Sequence, residues 1–187
     1  YKGTDLQVIC GAVERELGRP VEGLTETYRA RMYEALEPDC PPILGAAETL
    51  DAIDAARIAR CVASNGPLRK MQTTLRASGL AARVPAHSMF SAYDIGVWKP
   101  EPGLFLHAAD RLGVRPEACV VVEDSPSGIS AARAAGMRPI AYADLTPPGA
   151  LREAGADLVI DSMHDLPEAL GLPRPSPDPR PTLERTP

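Results

Sequence analysis

The sequence predicts an α/β fold, a three-layer Rossmann-like parallel sheet preceded by a partial α-helical cap. Val120, Val121 and Val122 are three consecutive β-branched apolar residues, which is typical of a strand covered on both faces in a parallel sheet. From residue 46 onward helical and strand patterns alternate, as expected of successive βαβ units. These two observations favour a sheet with helices on both faces.

The predicted elements follow in order along the chain. Residues 1–38 show helical periodicity only and predict a helical pair, with Thr4 available to cap the first helix. Cys40-Pro41-Pro42 then forms a stiff, extended break. The remaining helices are predicted at about 46–55, 67–78, 103–112, 126–135 and 147–154, and the strands at 58–63, near 88–91, and at 119–123, 138–142 and 157–160. We therefore predict a cap over 1–40, a core over 41–170 and a disordered tail over 171–187, where six prolines stand among polar residues.

The composition of the chain limits the classes of function that it can have. The chain has 187 residues, 44% of them hydrophobic, which is enough for one core and a small accessory lobe. The net charge is −5 and the basic residues are scattered, so the sequence shows no basic cluster of the kind that binds nucleic acid. No apolar run is long enough to span a bilayer. The cysteines show no C-x-x-C spacing; they are Cys10, Cys40, Cys61 and Cys119. We predict buried free thiols and a reducing, cytoplasmic location.

Two adjacent carboxylates end the strand over 119–123. Glu123 and Asp124 come directly after the valine run, and Ser125 and Pro126 then suit the cap and first turn of the next helix. The carboxyl end of a central strand is where open α/β sheets bind ligands. Two carboxylates beside a helix N-terminus suit a hydrated Mg²⁺ next to a phosphate, although negative charge at a helix start alone could explain Asp124.

A second group of polar residues follows the strand predicted over 58–63. Ser64, Asn65 and Gly66 supply a hydroxyl and backbone N–H groups that could seat a phosphate. The alternative is that Ser64 or Asn65 only caps the following helix, and taken alone this alternative is favoured.

Lys99 lies in the loop Trp98-Lys99-Pro100-Glu101-Pro102. Flanking prolines stiffen the backbone, and the ammonium could neutralise a phosphoryl oxygen or a neighbouring carboxylate. A lone loop lysine is more often solvated. However, a hydroxyl, a lysine and an acidic pair follow successive sheet elements in that order, which makes separate explanations for all three unconvincing.

At this point the chain resembles the haloacid dehalogenase-like hydrolases, a superfamily of Mg²⁺-dependent phosphotransfer enzymes. Ser64, Lys99 and the pair Glu123 and Asp124 match that superfamily's second, third and fourth motifs. The stretches 63–72, 90–95 and 98–100 look most like the bacterial 6-phosphogluconate phosphatase branch, with the beta-phosphoglucomutase branch as nearest relative.

The resemblance implies a phosphatase of small phosphorylated sugars or sugar acids that works through an aspartyl phosphate. Ser64 and Lys99 would be catalytic and would bind substrate, Asn65 and Gly66 would also bind substrate, and Glu123 and Asp124 would hold Mg²⁺. Lys2 and Gly3 match the cap loop that faces the active site, and are predicted substrate contacts. The partner is a small phosphorylated metabolite, with no nucleic acid or membrane, and a monomer is expected.

One motif of the superfamily has no counterpart here. The first motif, an Asp-x-Asp that supplies the nucleophile, precedes the cap, and neither Asp5, Asp51 nor Asp54 fits a strand end. We therefore expect a fragment that releases no phosphate by itself. The alternatives are a beta-phosphoglucomutase-like phosphotransferase and an inactive phosphate- or metal-binding remnant; a receiver-type signalling domain is disfavoured because its acidic pair comes early in the chain.

Two further expectations concern the substrate and the sheet. Arg29 and Arg31 on the second helix could bind a substrate carboxylate, although charges on a helix face are usually solvated. The resemblance implies that another strand lies between those ending at Ser64 and Glu123. These two strands should therefore stand about 10 Å apart, or two strand spacings, without direct pairing, and the open slot should lower solubility.

Overall fold

The computed structural model describes residues 6–38 and 40–173. Lys2, Gly3 and Thr4 lie outside the described residues, as does most of the predicted tail. The described helices are α1 (Leu6–Leu17), α2 (Leu24–Leu36), α3 (Ala46–Ala55), α4 (Leu68–Ala77), α5 (Ala92–Ile95), α6 (Gly103–Leu112), α7 (Pro126–Ala134), α8 (Pro148–Glu153) and α9 (Leu166–Ala169). The described strands are β1 (Val62–Ser64), β2 (Met89–Ser91), β3 (Val120–Glu123), β4 (Arg138–Tyr142) and β5 (Leu158–Ile160).

The described strands form two parallel sheets. In the first, β1 pairs with β2 and Ala63 lies opposite Phe90. The second has the order β3-β4-β5, with Val122 opposite Ile140. Within the described residues β1 and β3 do not pair with each other, which confirms the predicted absence of direct hydrogen bonding between these strands.

Helices cover both faces of the larger sheet. Successive side chains of a strand point to opposite faces, and the neighbours Ile140 and Ala141 accordingly join different clusters. Ala141 packs with Ile129 of α7 and Leu151 of α8, whereas Ile140 packs with Leu166 of α9. The predicted three-layer α/β architecture is confirmed.

Helix α6 connects the two sheets through apolar packing. Phe105 belongs to a buried cluster with Val121 of β3, and Leu104, one residue earlier, belongs to a cluster with Phe90 of β2. Both side chains are almost fully buried. The hydrophobic contacts of one helix therefore join sheets that share no backbone ladder.

The position of β1 differs from the prediction. The strand was expected over 58–63 but spans only Val62–Ser64. Its partner β2 begins at Met89, directly after a 3-10 turn over Ala86–Ser88. Residues 58–61 consequently have no ladder partner, and their apolar pattern does not produce a strand.

The cysteines are only partly as predicted. All four are free, but only Cys10 is buried, and Cys61 and Cys119 precede β1 and β3 rather than lying within them. Burial raises the pKa of Cys61 to about 11, and the nearby Cys119 adds to this rise. The Cys61 thiol is therefore protonated near neutral pH and is not a nucleophile.

Helix α2 packs against α4, and this contact brings the first two helices onto the core. The guanidinium of Arg69 on α4 lies 4.4 Å from the ring centroid of Tyr33 on α2, a favourable cation-π distance. The boundaries proposed for the cap and the core remain predictions. Within residues 6–38 and 40–173, no helix has the length and hydropathy that a bilayer span requires.

The start of α7 follows the predicted capping pattern. The Oγ of Ser125 accepts a hydrogen bond from the backbone N–H of Gly128 at 3.1 Å, and Pro126 is the first helical residue. Ser125 is 3% exposed, so water cannot easily replace this bond. The cap fixes the helix directly beside Glu123 and Asp124.

We predict that Ser125→Ala lowers the free energy of unfolding by about 1–2 kcal/mol, because it removes a buried N-cap. Urea unfolding followed by circular dichroism measures the change. Ser130→Ala, within the same helix, is the matched control and should be nearly neutral. Equal effects of the two substitutions would contradict the capping role.

Candidate active site

The ends of β1 and β3 open into one cavity. Ser64 is the last residue of β1 and Glu123 the last of β3, and both line a cavity of about 690 Å³. Lys99 and Asp124 line the same cavity. The structure therefore brings together the hydroxyl, the ammonium group and the two acids that the sequence places far apart.

A buried ion pair joins the two strand ends. The Nζ of Lys99 contacts the Oε1 of Glu123 and also donates a hydrogen bond to the Ala63 carbonyl of β1 at 2.9 Å. The two charged side chains are only 8% and 10% exposed. Phe105 covers the ammonium, with its ring centroid 4.7 Å from Nζ, so the pair has little contact with water.

Asn65 holds the backbone of Lys99 from both sides. Its Oδ1 accepts a hydrogen bond from the Lys99 N–H at 2.9 Å, and its Nδ2 donates to the Lys99 carbonyl at 3.2 Å. These contacts favour a positioning role for the Asn65 amide. Its predicted contact with substrate stays a prediction.

The turn after β1 is built around the Ser64 hydroxyl. Its Oγ accepts a hydrogen bond from the Gly66 N–H at 3.0 Å. This N–H therefore already has a partner within the turn, whereas the sequence suggested an N–H that could bind a phosphate. The buried Ser91 Oγ donates to the Gly66 carbonyl at 2.9 Å. Helix α4 begins after Pro67 without a side-chain cap, which contradicts the alternative that Ser64 or Asn65 only caps this helix.

The acidic pair is divided between two roles. Glu123 uses both oxygens within the protein, because Oε1 contacts Lys99 and Oε2 accepts from the Ser125 hydroxyl at 3.0 Å. Asp124 lines the cavity, and its carbonyl accepts a hydrogen bond from the Thr146 hydroxyl at 2.7 Å. Both carboxylate oxygens of Glu123 are therefore already used in contacts within the protein.

The sequence analysis missed Asp144, which also lines the cavity. It lies two residues after the end of β4, at the sheet edge that carries Asp124. The strand-end rule that identified Glu123 and Asp124 would have found Asp144 if it had been applied to β4.

The donor set suits a hydrated magnesium ion rather than an all-protein metal cage. Within the part of the chain that the structure describes, no group of three or more His, Cys, Asp or Glu side chains could hold a metal ion. Mg²⁺ commonly binds through one or two carboxylates and completes its shell with water and substrate phosphate. Asp124 and Asp144 offer such carboxylates, so the described residues fit Mg²⁺ only together with a bound phosphate.

The first two helices also line the cavity. Tyr28, Arg29 and Met32 of α2 line the cavity, and so do Leu6 and Ile9 of α1. This placement encloses a space larger than a phosphate group. A small phosphorylated organic molecule fits its size.

Fold and site together describe an α/β protein in which polar and charged side chains at the strand ends line one cavity. The sequence profile of the haloacid dehalogenase-like hydrolases matches residues 5–136. The chain belongs to this family.

Known relatives support this assignment. The chain is 37% identical over 140 residues to 6-phosphogluconate phosphatase of Escherichia coli, covering 73% of this chain and 61% of that protein. It is 33% identical over 161 residues to the phosphorylated carbohydrates phosphatase of Thermotoga maritima, covering 79% and 73%. A crystal structure of a family member from Deinococcus radiodurans, with bound phosphate and sodium, superposes with a TM-score of 0.75 at 29% identity and covers 91% of this chain and 77% of that one. The chain thus spans less than two thirds of the Escherichia coli relative.

We predict that Lys99→Met lowers the free energy of unfolding by about 3–5 kcal/mol, because Glu123 then remains buried without a partner. Adding Glu123→Gln should recover much of this loss. Urea unfolding of both single variants and the double variant measures the coupling. Lys70→Met, an exposed lysine of the same cavity, is the control, and a strictly additive double variant would contradict the ion pair.

We predict that Asn65→Ala destabilises the chain by about 1–3 kcal/mol, since both backbone groups of Lys99 lose their partner. Asn65→Asp keeps the acceptor and should lose less. Thermal unfolding followed by circular dichroism gives the order of the variants, with the exposed Gln72→Ala as control. If Asn65→Asp and Asn65→Ala destabilise the chain equally, the hydrogen bond that the Asn65 Oδ1 accepts from the Lys99 N–H does not contribute to stability.

Proposed function

We propose that this chain supplies the phosphate- and metal-binding part of a hydrolase for phosphate monoesters of small sugars or sugar acids, with Mg²⁺ as cofactor. The observation that carries the proposal is the convergence of Ser64, Lys99 and Asp124 in one cavity. The names of the relatives support the substrate class, because two of them are phosphatases of phosphorylated sugars or sugar acids.

Each residue would have a distinct task. An ammonium has three donors, and Lys99 uses two of them on Ala63 and Glu123, so the third would donate to a phosphoryl oxygen. The Ser64 hydroxyl would donate to another oxygen of the same phosphate. Asp124 would hold Mg²⁺ with Glu123 in support, and the bound ion would supply positive charge against the phosphate. The carboxylate nucleophile and its aspartyl phosphate stay predictions from the family.

The proposal is tested by titrating the purified chain with phosphorylated sugars, with and without Mg²⁺, in a calorimeter, and by assaying phosphate release in parallel. Ser64→Ala should weaken binding about tenfold, since a hydrogen bond to a charged group is lost. Asp124→Asn should remove the dependence on Mg²⁺. The control is Asp110→Asn, an exposed acid of α6.

The outcomes separate the possible functions. Binding without phosphate release is the result expected of a phosphate- and metal-binding part that has no nucleophile of its own, and it is shared by an inactive remnant. Phosphate release by the chain itself would show that a residue within it serves as the nucleophile. Transfer of the phosphoryl group to another sugar hydroxyl supports the mutase-like alternative. Binding that is absent, or that is unchanged in both site variants, overturns the proposal.

A further inference from the structure

We infer that Arg29 recognises a carboxylate at the far end of the phosphorylated substrate, so that the site selects phosphorylated sugar acids over neutral phosphorylated sugars and polyols. This inference rests on the proposed function and makes its substrate class narrower.

Helix α2 holds Arg29 in a defined place. Tyr33 lies one helical turn after Arg29 and is therefore on the same face, and it stacks with Arg69 of α4. Arg29 itself lies over Tyr93 of α5, with its Cζ 5.7 Å from the ring centroid. Two contacts thus fix the same face of α2 against the core, and Arg29 is presented to the cavity.

Within the described part of the chain, no acidic side chain neutralises the charge of Arg29. Some arginines of the chain are paired with aspartates, as Arg60 is with Asp54 and Arg83 with Asp51, each at 2.8 Å. Among residues 6–38 and 40–173, no carboxylate comes within ion-pair distance of Arg29. It is half-buried, so an anion that reaches it from the cavity would be only partly screened by water.

Arg29 and the strand-end residues reach the cavity from different elements. Lys99 and Ser64 belong to the strand ends, and Lys70 lies beside the phosphate turn, its Cδ 3.4 Å from the position that a Cβ on Gly66 would take. Arg29 reaches the cavity from α2. A substrate whose phosphate occupies the strand ends would therefore present its other end to α2.

A carboxylate fits Arg29 better than a second phosphate. Among the described residues, the charged side chains that line the cavity are three cations (Arg29, Lys70, Lys99) and three carboxylates (Glu123, Asp124, Asp144). Their formal charges cancel, so a monoanion is easier to accommodate than another dianion. The planar guanidinium binds a carboxylate or a phosphate through two parallel hydrogen bonds, so the preference for a carboxylate depends on this balance of charge.

The same helix provides the matched comparison. Arg31 is exposed and does not line the cavity, although both arginines were equal candidates from the sequence. A general effect of positive charge on α2 would involve both residues, whereas recognition in the cavity would involve Arg29 alone.

The test is calorimetric titration of the full chain with 6-phosphogluconate and sorbitol 6-phosphate, which share the phosphate and the six-carbon chain and differ in the carboxylate. We expect the acid to bind about tenfold more tightly. Arg29→Gln should abolish this ratio because it lowers the affinity for 6-phosphogluconate more than the affinity for sorbitol 6-phosphate, and Arg29→Lys should keep part of the ratio. Arg31→Gln should leave the ratio unchanged.

The outcomes distinguish this inference from the proposed function. If both ligands bind equally well, or if Arg29→Gln keeps the ratio, the inference is wrong while the phosphate site stands. If neither ligand binds, the proposed function and the inference fall together. If fructose 1,6-bisphosphate binds more tightly than 6-phosphogluconate and Arg29→Gln loses this preference, Arg29 recognises a second phosphate and the inference of a carboxylate is wrong. Circular dichroism checks folding, and Arg29→Lys carries the test if Arg29→Gln does not fold.

Discussion

The ion pair between Lys99 and Glu123 connects the two halves of this structure. The described strands belong to two sheets without a shared ladder, and the pair links the ends of β1 and β3 together with the Ala63 carbonyl. Removing two charges from water is costly, so such a pair persists only where geometry and further hydrogen bonds compensate. Here Ser125 donates to the carboxylate and Asn65 holds the lysine backbone.

The same contacts tie the candidate site to the stability of the fold. Ser125 caps α7 and at the same time donates to Glu123, so the start of the helix and the position of the acid depend on one hydroxyl. Thr146 holds the Asp124 carbonyl from the loop after β4. Substitutions in this region will therefore change the stability of the fold together with the geometry of the candidate site.

Local sequence signals predicted much of the fold. The bounds of α3, α6 and β4 agree with the predicted ranges, because each has clear apolar periodicity and a clear stop signal. Helix α5 was missed, since four residues carry no periodicity; its signals are the Ser91 hydroxyl, which caps Tyr93, and Gly96 in the left-handed conformation. The prediction of a strand at residues 58–61 was wrong because a strand needs a hydrogen-bonded partner, and the partner strand β2 begins only at Met89, opposite Val62.

The sequence by itself determined which chemical groups this protein offers: a hydroxyl, an ammonium and an acidic pair at the ends of sheet elements, because parallel strands expose their carboxyl ends at one edge. Only the tertiary structure decided how these groups are shared. In the folded chain Glu123 pairs with Lys99, the Asn65 amide binds the backbone of Lys99, and Asp144 lines the cavity. Arg29, but not Arg31, also lines this cavity. These choices depend on distances between residues far apart in the chain, which no local pattern encodes.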